Sequence, residues 1–398
     1  MDPLHAARIH REVRVPDTVR LERQRHAPEL GVRPVFFSGG SALRRFSRRL
    51  IEYTHNSVHL ITPFDSGGSS AVLRKHFRMP AVGDLRNRLM ALADRSVLGS
   101  PEVVRLFSYR FPTDETPALL ANRMEAMVRG TDPRIRTVPE PLRDIVRSHL
   151  RSFASARPES FDLRGAAIGN LVLAGGYLEH GRQLDPVLYL FSSLVQARGR
   201  VRPVVDRSLH LVADLEDGSR IVGQHLIAAE GTAPPSPVAS VWLSRSRARP
   251  VPIRPEISRS VADLIRSADL ICYPVGSFYT SVIASLLPAG VADTIAATPV
   301  PKVYVANPAG DPEEAGLSLE GKVRTLLGYL QVGAEEAPAV DQVLNVVLVD
   351  RTVVDVAARE IRAIERLGVQ VMNVPLTTPE STPRYGASAM VEALLSFT

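Results

Sequence analysis

Continuous apolar runs and helically spaced apolar positions alternate along much of this chain. RPVFFS (33–38) is a short apolar run. Leu43, Phe46, Leu50 and Tyr53 follow at intervals of three to four, and VHLITPF (58–64) is a second run. Short runs predict strands buried on both faces, and the wider spacing predicts a helix. Strand, GG turn, helix, strand is a βαβ unit, the building block of a parallel sheet. The alternation resumes with DLICYPVGS (269–277), PKVYVANPA (301–309), QVLNVVLVD (342–350), a helix at 353–367 and VQVMNVPL (369–376).

Two stretches depart from this rhythm. GDLRNRLMALAD (83–94) opens a helical region that continues over about 101–160, interrupted by Pro112, Pro117, Gly130 and Pro133. GAAIGNLVLAGGYLEHG (165–181) reads as a further helix opening. In 201–245 short alternating stretches surround the turn signal Glu216-Asp217-Gly218, which predicts β-hairpins. The expected architecture is an N-terminal polar arm (1–30) and one α/β domain (31–398). That domain is a doubly wound, Rossmann-like, mostly parallel sheet, with a helical insertion near 100–165 and a small β-hairpin insertion near 201–245.

Composition narrows the classes. The 398 residues are 45% hydrophobic and 23% charged, as in a globular protein. No apolar stretch reaches the ~18 residues of a membrane-spanning helix, so no membrane partner is expected. The N-terminus lacks the apolar core of a secretory signal. Cys272 is the single cysteine, so no internal disulfide can form, and a reducing cytoplasmic setting is the expectation. The net charge of +6 is carried by residues 1–50, where 11 Arg face 5 acids. Arg44, Arg45, Arg48 and Arg49 would attract an anion. No nucleic-acid-binding module is recognisable, so nucleic acid is not the expected partner; a homodimer is the expected assembly.

Four polar, glycine-bearing loops follow predicted strands or open helices. They are Ser38-Gly39-Gly40-Ser41, FDSGGSSAVLR (64–74), GDLRNRL (83–89) and PVGSFYTSVI (274–283). Loops beyond the carboxyl ends of parallel strands converge on one crevice, and helix N-termini favour anions. The ligand-binding candidates are therefore Ser38, Gly39, Gly40, Ser41, Gly67, Gly68, Ser69, Ser70, Gly276, Ser277, Thr280 and Ser281. Each loop also has a plain reading as a turn. Asp65 and Asp84 fit a Mg²⁺ ion held by one or two carboxylates with waters, or helix capping. Arg74 and Arg86 are phosphate forks or ordinary pairs. Asn87 and Asn170 read a ligand's polar edge, or Asn170 caps a helix. His55, His59 and His76 follow no metal-ligand spacing and read as structural. No GxSxG, Walker A or GxGxxG element is present.

In this order the loops resemble the CofD-like family, which includes 2-phospho-L-lactate transferases and YvcK-type gluconeogenesis factors. The YvcK branch is the nearer likeness. Gly39-Gly40-Ser41-Ala42 is similar to its GGTG-type loop, and Phe64–Arg74 to DDGGSSGRLR. Ala81–Leu89 is similar to PPGDIRNCL, Gly169-Asn170 to a GN helix start, and Pro274–Val282 to GPGSLYTSI. The resemblance spans about 33–376. It implies a CofD-like fold and a nucleotide or nucleotide-sugar ligand. One implied function is transfer of a phospho-linked group from a nucleoside-diphosphate donor to an acceptor alcohol. Asp65 and Asp84 would then be catalytic, with Asp65 on Mg²⁺. The other is a non-catalytic regulator. The chain departs from the pattern at Phe64, where the family has an acid, and at Ser41-Ala42, where it has Thr-Gly.

Overall fold

The computed structural model describes residues 12–40, 42–96, 98–227, 232–308 and 310–398. Ser41, a predicted ligand contact, lies outside them. In chain order the strands are β1 (Pro34–Ser38), β2 (Val58–Ile61), β3 (Arg200–Pro203), β4 (His210–Leu215), β5 (Arg220–Val222) and β6 (Val238–Ser244). They continue with β7 (Pro252–Ile253), β8 (Leu270–Tyr273), β9 (Lys302–Val305), β10 (Val346–Val349) and β11 (Gln370–Asn373).

Seven strands form one parallel sheet in the order β11-β10-β9-β8-β1-β2-β3. The five central ones are buried along their full length, as unbroken apolar runs require when helices cover both faces. The fold is thus α/β and mostly parallel. From β1 the chain winds outward to β2 and β3, then returns to β8 on the opposite side of β1, with Val35 beside Ile271. That reversal makes the β1–β8 boundary the topological switch point, where open α/β sheets hold ligands.

Side-chain alternation sends Val35 and Phe37 to one face and Phe36 to the other. On the first face they meet the antiparallel sheet β5-β4-β6-β7 and the helices around Val282 and Leu326. On the second they meet helix Arg44–Leu50 and the C-terminal helix Ala387–Leu395. The connection from β2 to β3 is entirely helical and has its own core, including Leu89, Phe107, Leu171 and Phe191. Within it Pro117 and Pro133 occupy first helical turns, and Gly130 ends a helix at φ 84°. No described helix is long and apolar enough to cross a membrane.

Candidate functional site

The loops after β1, β2 and β8 leave the same edge of the sheet, and glycine contacts show how closely they meet. A Cβ on Gly40 would overlap Asp84 Oδ1, and one on Gly39 would stand 2.5 Å from Ser281 Oγ. A Cβ on Gly83 would meet Ser70 Oγ at 2.6 Å and Asp65 Oδ2 at 3.5 Å. The four loops therefore form one crevice. Asn170 joins it by donating from Nδ2 to Ser69 Oγ at 2.8 Å. Gly39 and Gly40 make room for the protein's own Ser281 and Asp84, and the Gly40 amide donates to the Asp84 carboxylate.

Asp65 and Asp84 lie side by side. Asp65 Oδ1 accepts from the Gly67 amide at 2.9 Å. Burial, then the charge of Asp65, pushes Asp84 up to about 6, against the opposing pull of Arg88, the Gly40 amide and Arg86. Among the described residues neither carboxylate belongs to an ion pair. With the charges of Arg88 and Arg86 acting on Asp84 but no ion pair formed, the two carboxylates fit a Mg²⁺ ion, which takes one or two carboxylates and keeps most of its waters. Among the described residues no group of three or more His, Cys, Asp or Glu gathers to hold a metal. His59 instead stacks on Phe36, and His76 packs against Phe161.

The structure assigns several other candidates to bracing. Arg74 donates to the carbonyls of Phe64, Asp65 and Leu209, so it pins the second loop from behind. Arg86 donates to Phe107 O at 3.3 Å and to Asn87 Oδ1 at 2.6 Å, which ties these two candidates to each other. Thr280 gives both its amide and its hydroxyl to Glu313, while the amides of Phe278 and Tyr279 go to Asp311 and Glu313. The start of that helical turn is thus closed by the protein's own carboxylates, so its amides do not form an open anion cradle. Gly276, at φ 143°, is clamped by Asn307, which accepts from its amide at 2.9 Å and donates to its carbonyl at 2.8 Å.

A cleft of about 620 Å³ opens at the switch point. Gly276, Ser277, Arg44, Arg45, Arg384 and Tyr385 line it. Its three arginines are exposed and, among the described residues, join no ion pair. Gly68 and Ser69 face a smaller hollow beside Arg110 and Arg164.

Sequence reasoning missed four contributors. Arg88, fully buried, donates to Gly39 O at 2.9 Å and to Ser38 Oγ at 3.4 Å, fixing the first loop. Its signal was its place four residues after Asp84 on one helix. Asn307 follows β9 at the end of the run PKVYVANPA, and Glu313 sits in the short helical turn Pro312–Glu314. His225 comes from the short helix Gln224–Ile227 that follows β5, and its Nδ1 pairs with Ser66 Oγ at 2.7 Å. Nothing local in the sequence announces that contact.

A family model described as 2-phospho-L-lactate transferase CofD matches residues 35–377. The gluconeogenesis factor of Listeria monocytogenes is 26% identical over 92% of this chain and 95% of its own length. That of Bacillus subtilis is 28% identical over 72% of this chain and 71% of its own. A crystal structure of a UPF0052-family protein from Bacillus halodurans superposes with a TM-score of 0.66 at 23% identity, covering 92% of this chain and 99% of that one.

Proposed function

The chain belongs to the CofD family, whose model is described as 2-phospho-L-lactate transferase, and we propose that it binds a nucleoside-diphosphate-linked donor at the β1–β8 crevice and transfers its terminal phospho-linked group to an alcohol, the diphosphate P–O bond breaking and the nucleoside monophosphate leaving. The observation that carries this reading is the unpaired Asp65–Asp84 couple beside a cleft lined by three free arginines. Arg44, Arg45 and Arg384 fork onto the oxygens of a diphosphate, with Ser277 as a further donor. Asp65, with Asp84 beside it, would hold Mg²⁺, which when bound neutralises charge on the phosphates. Asp84, pushed up to about 6, is suited to take the proton of an attacking hydroxyl near neutral pH. The rest of the work is positioning, which Arg88 and Asn307 provide by fixing the two glycine loops.

A second reading, a regulator that binds a nucleotide sugar without turnover, is favoured by Phe64. It stands where the family pattern has an acid, and it is fully buried in the core beneath the sheet. The gluconeogenesis-factor names of the relatives agree with this reading.

One titration separates the two. Nucleoside diphosphates and nucleotide sugars are titrated into wild type and Asp65→Asn, with and without Mg²⁺, and product is followed by mass spectrometry with a panel of alcohols. Transfer predicts Mg²⁺-dependent binding and turnover reduced by orders of magnitude in Asp65→Asn. Mg²⁺-independent wild-type affinity, with no product from any diphosphate donor, leaves the regulator.

A further inference from the structure

A second cleft, of about 690 Å³, lies on the β3 side of the second loop. Arg74, Lys75, Arg78, Arg207, Arg245 and Arg247 line it, against a single acid, Asp206. These cations come from three separate places: helix Gly68–Phe77 and its exit, the segment after β3, and the turn after β6. The sequence gives no hint that they meet.

All but Arg74 are exposed, and among the described residues none of the five joins an ion pair. Asp206, one of whose oxygens accepts the Leu184 amide at 3.0 Å, sets a single negative charge against these cations. Surface arginines elsewhere on this protein do find acids, as Arg129 finds Glu125 and Arg324 finds Glu320. Like charges gathered in a concave site repel one another unless an anion sits between them. His210, at the cleft wall, has a buried Nδ1 with no partner among the described residues. Burial, then the charges of Arg74 and Arg247, pushes its ring down to about 4. The ring is therefore neutral at pH 7 and adds no positive charge to the cleft.

We propose that this cleft is a second anion site, for a small soluble molecule bearing several phosphate groups. Its volume suits a small molecule, and arginine forks from opposite walls suit phosphate oxygens. The site is separate from the switch-point cleft and shares none of its lining. It is nevertheless coupled to the candidate chemistry, since Ser66 lines it and Arg74 holds the Asp65 carbonyl at 2.8 Å. An occupant here would act on the second loop as an effector or as an anionic co-substrate.

The test is calorimetric titration of inorganic tripolyphosphate into the full chain. Its partners are two double variants at exposed positions, Arg207→Ala/Arg247→Ala in this cleft and Arg44→Ala/Arg384→Ala at the switch point. Thermal unfolding confirms that each is folded. The expected result is a binding event that weakens at least tenfold in the first variant and changes less than twofold in the second, any binding at the switch point appearing as a separate event lost only in the second variant. The proposal is overturned if the first variant binds as wild type does, or if only the second loses binding. Capture of anionic vesicles or single-stranded RNA through Arg207 and Arg247, without measurable tripolyphosphate binding, also overturns the assignment to a small anion. A failure of nucleotide binding at the switch point leaves this result untouched, so the two readings fail separately.

Discussion

At the scale of single residues, the glycines of the first loop carry a lesson. A GG pair after a strand suggests a bare phosphate cradle, but here the space beside each α-carbon is filled by Ser281 and Asp84. Gly39→Ala would place its methyl 2.5 Å from Ser281 Oγ, an overpacking worth roughly 1–3 kcal/mol. Ser281→Ala removes that oxygen, so the double variant is expected to be more stable than Gly39→Ala alone. A double-mutant cycle by urea unfolding reads the coupling, and strict additivity would refute the contact. Glu313 offers a test of charge. Burial, then the charge of Asp311, pushes it up to about 7, against the hydrogen bonds of Thr280 and the Tyr279 amide. The native state then keeps a proton that the unfolded chain releases near the ordinary glutamate value. Stability contributed by this site therefore falls as pH rises from about 4.5 to 7, by at most a few kcal/mol. Glu313→Gln should flatten unfolding free energy across that window, and an unchanged slope would show that Glu313 is ionised there. Side-chain types and loop positions were legible in the sequence. Which amides were already taken, as those of Tyr279 and Thr280 are, was not, because their partners lie more than thirty residues away.

At the scale of elements, the apolar runs at 34–38, 58–61, 270–273, 302–305 and 346–349 became central strands because only a two-faced burial satisfies them. The turn at Glu216-Asp217-Gly218 produced the β4–β5 hairpin, with Gly218 at φ 84°. The C-terminal helix Ala387–Leu395 is harder to read. Met390, Val391, Leu394 and Leu395 have helical spacing, but nothing local says that they cover Phe46 and Leu50. That docking also anchors the arm, since Asp17 N donates to Ser396 Oγ at 2.8 Å and Leu21 joins the same cluster. Leu394→Ala should cost about 2–5 kcal/mol by denaturant unfolding. A cost under about 0.5 kcal/mol would mean the helix does not dock.

At the scale of the whole molecule, strand order and the assembly of each cleft depend on long-range pairing, which no local pattern encodes. One buried carboxylate illustrates how distant segments are locked. Asp350, at the end of β10, accepts from the amides and hydroxyls of Thr352 and Thr377 and from the Leu376 amide. Burial alone would raise its carboxyl, but the hydrogen bonds outweigh it and hold the group well below the usual aspartate range. Its stabilisation is therefore full above pH ~4 and is lost as pH falls further. Asp350→Ala leaves the buried Leu376 amide and the half-buried Thr377 groups without their acceptor and should cost about 1–3 kcal/mol. Its thermal midpoint at pH 7 should fall by several degrees, and a midpoint equal to wild type would remove Asp350 from this role.

The switch point also has a consequence in time. β1 is made more than two hundred residues before its neighbour β8, which pairs with it through Ile271, and Arg384 and Tyr385 follow more than a hundred residues after that. At roughly 5–20 residues per second, a growing chain spends tens of seconds with one edge of its most buried strand unpaired. Nascent chains released before residue 270 should therefore depend on chaperones and bind no nucleotide, and the crevice should come into being only once Arg384 and Tyr385 have been made and docked.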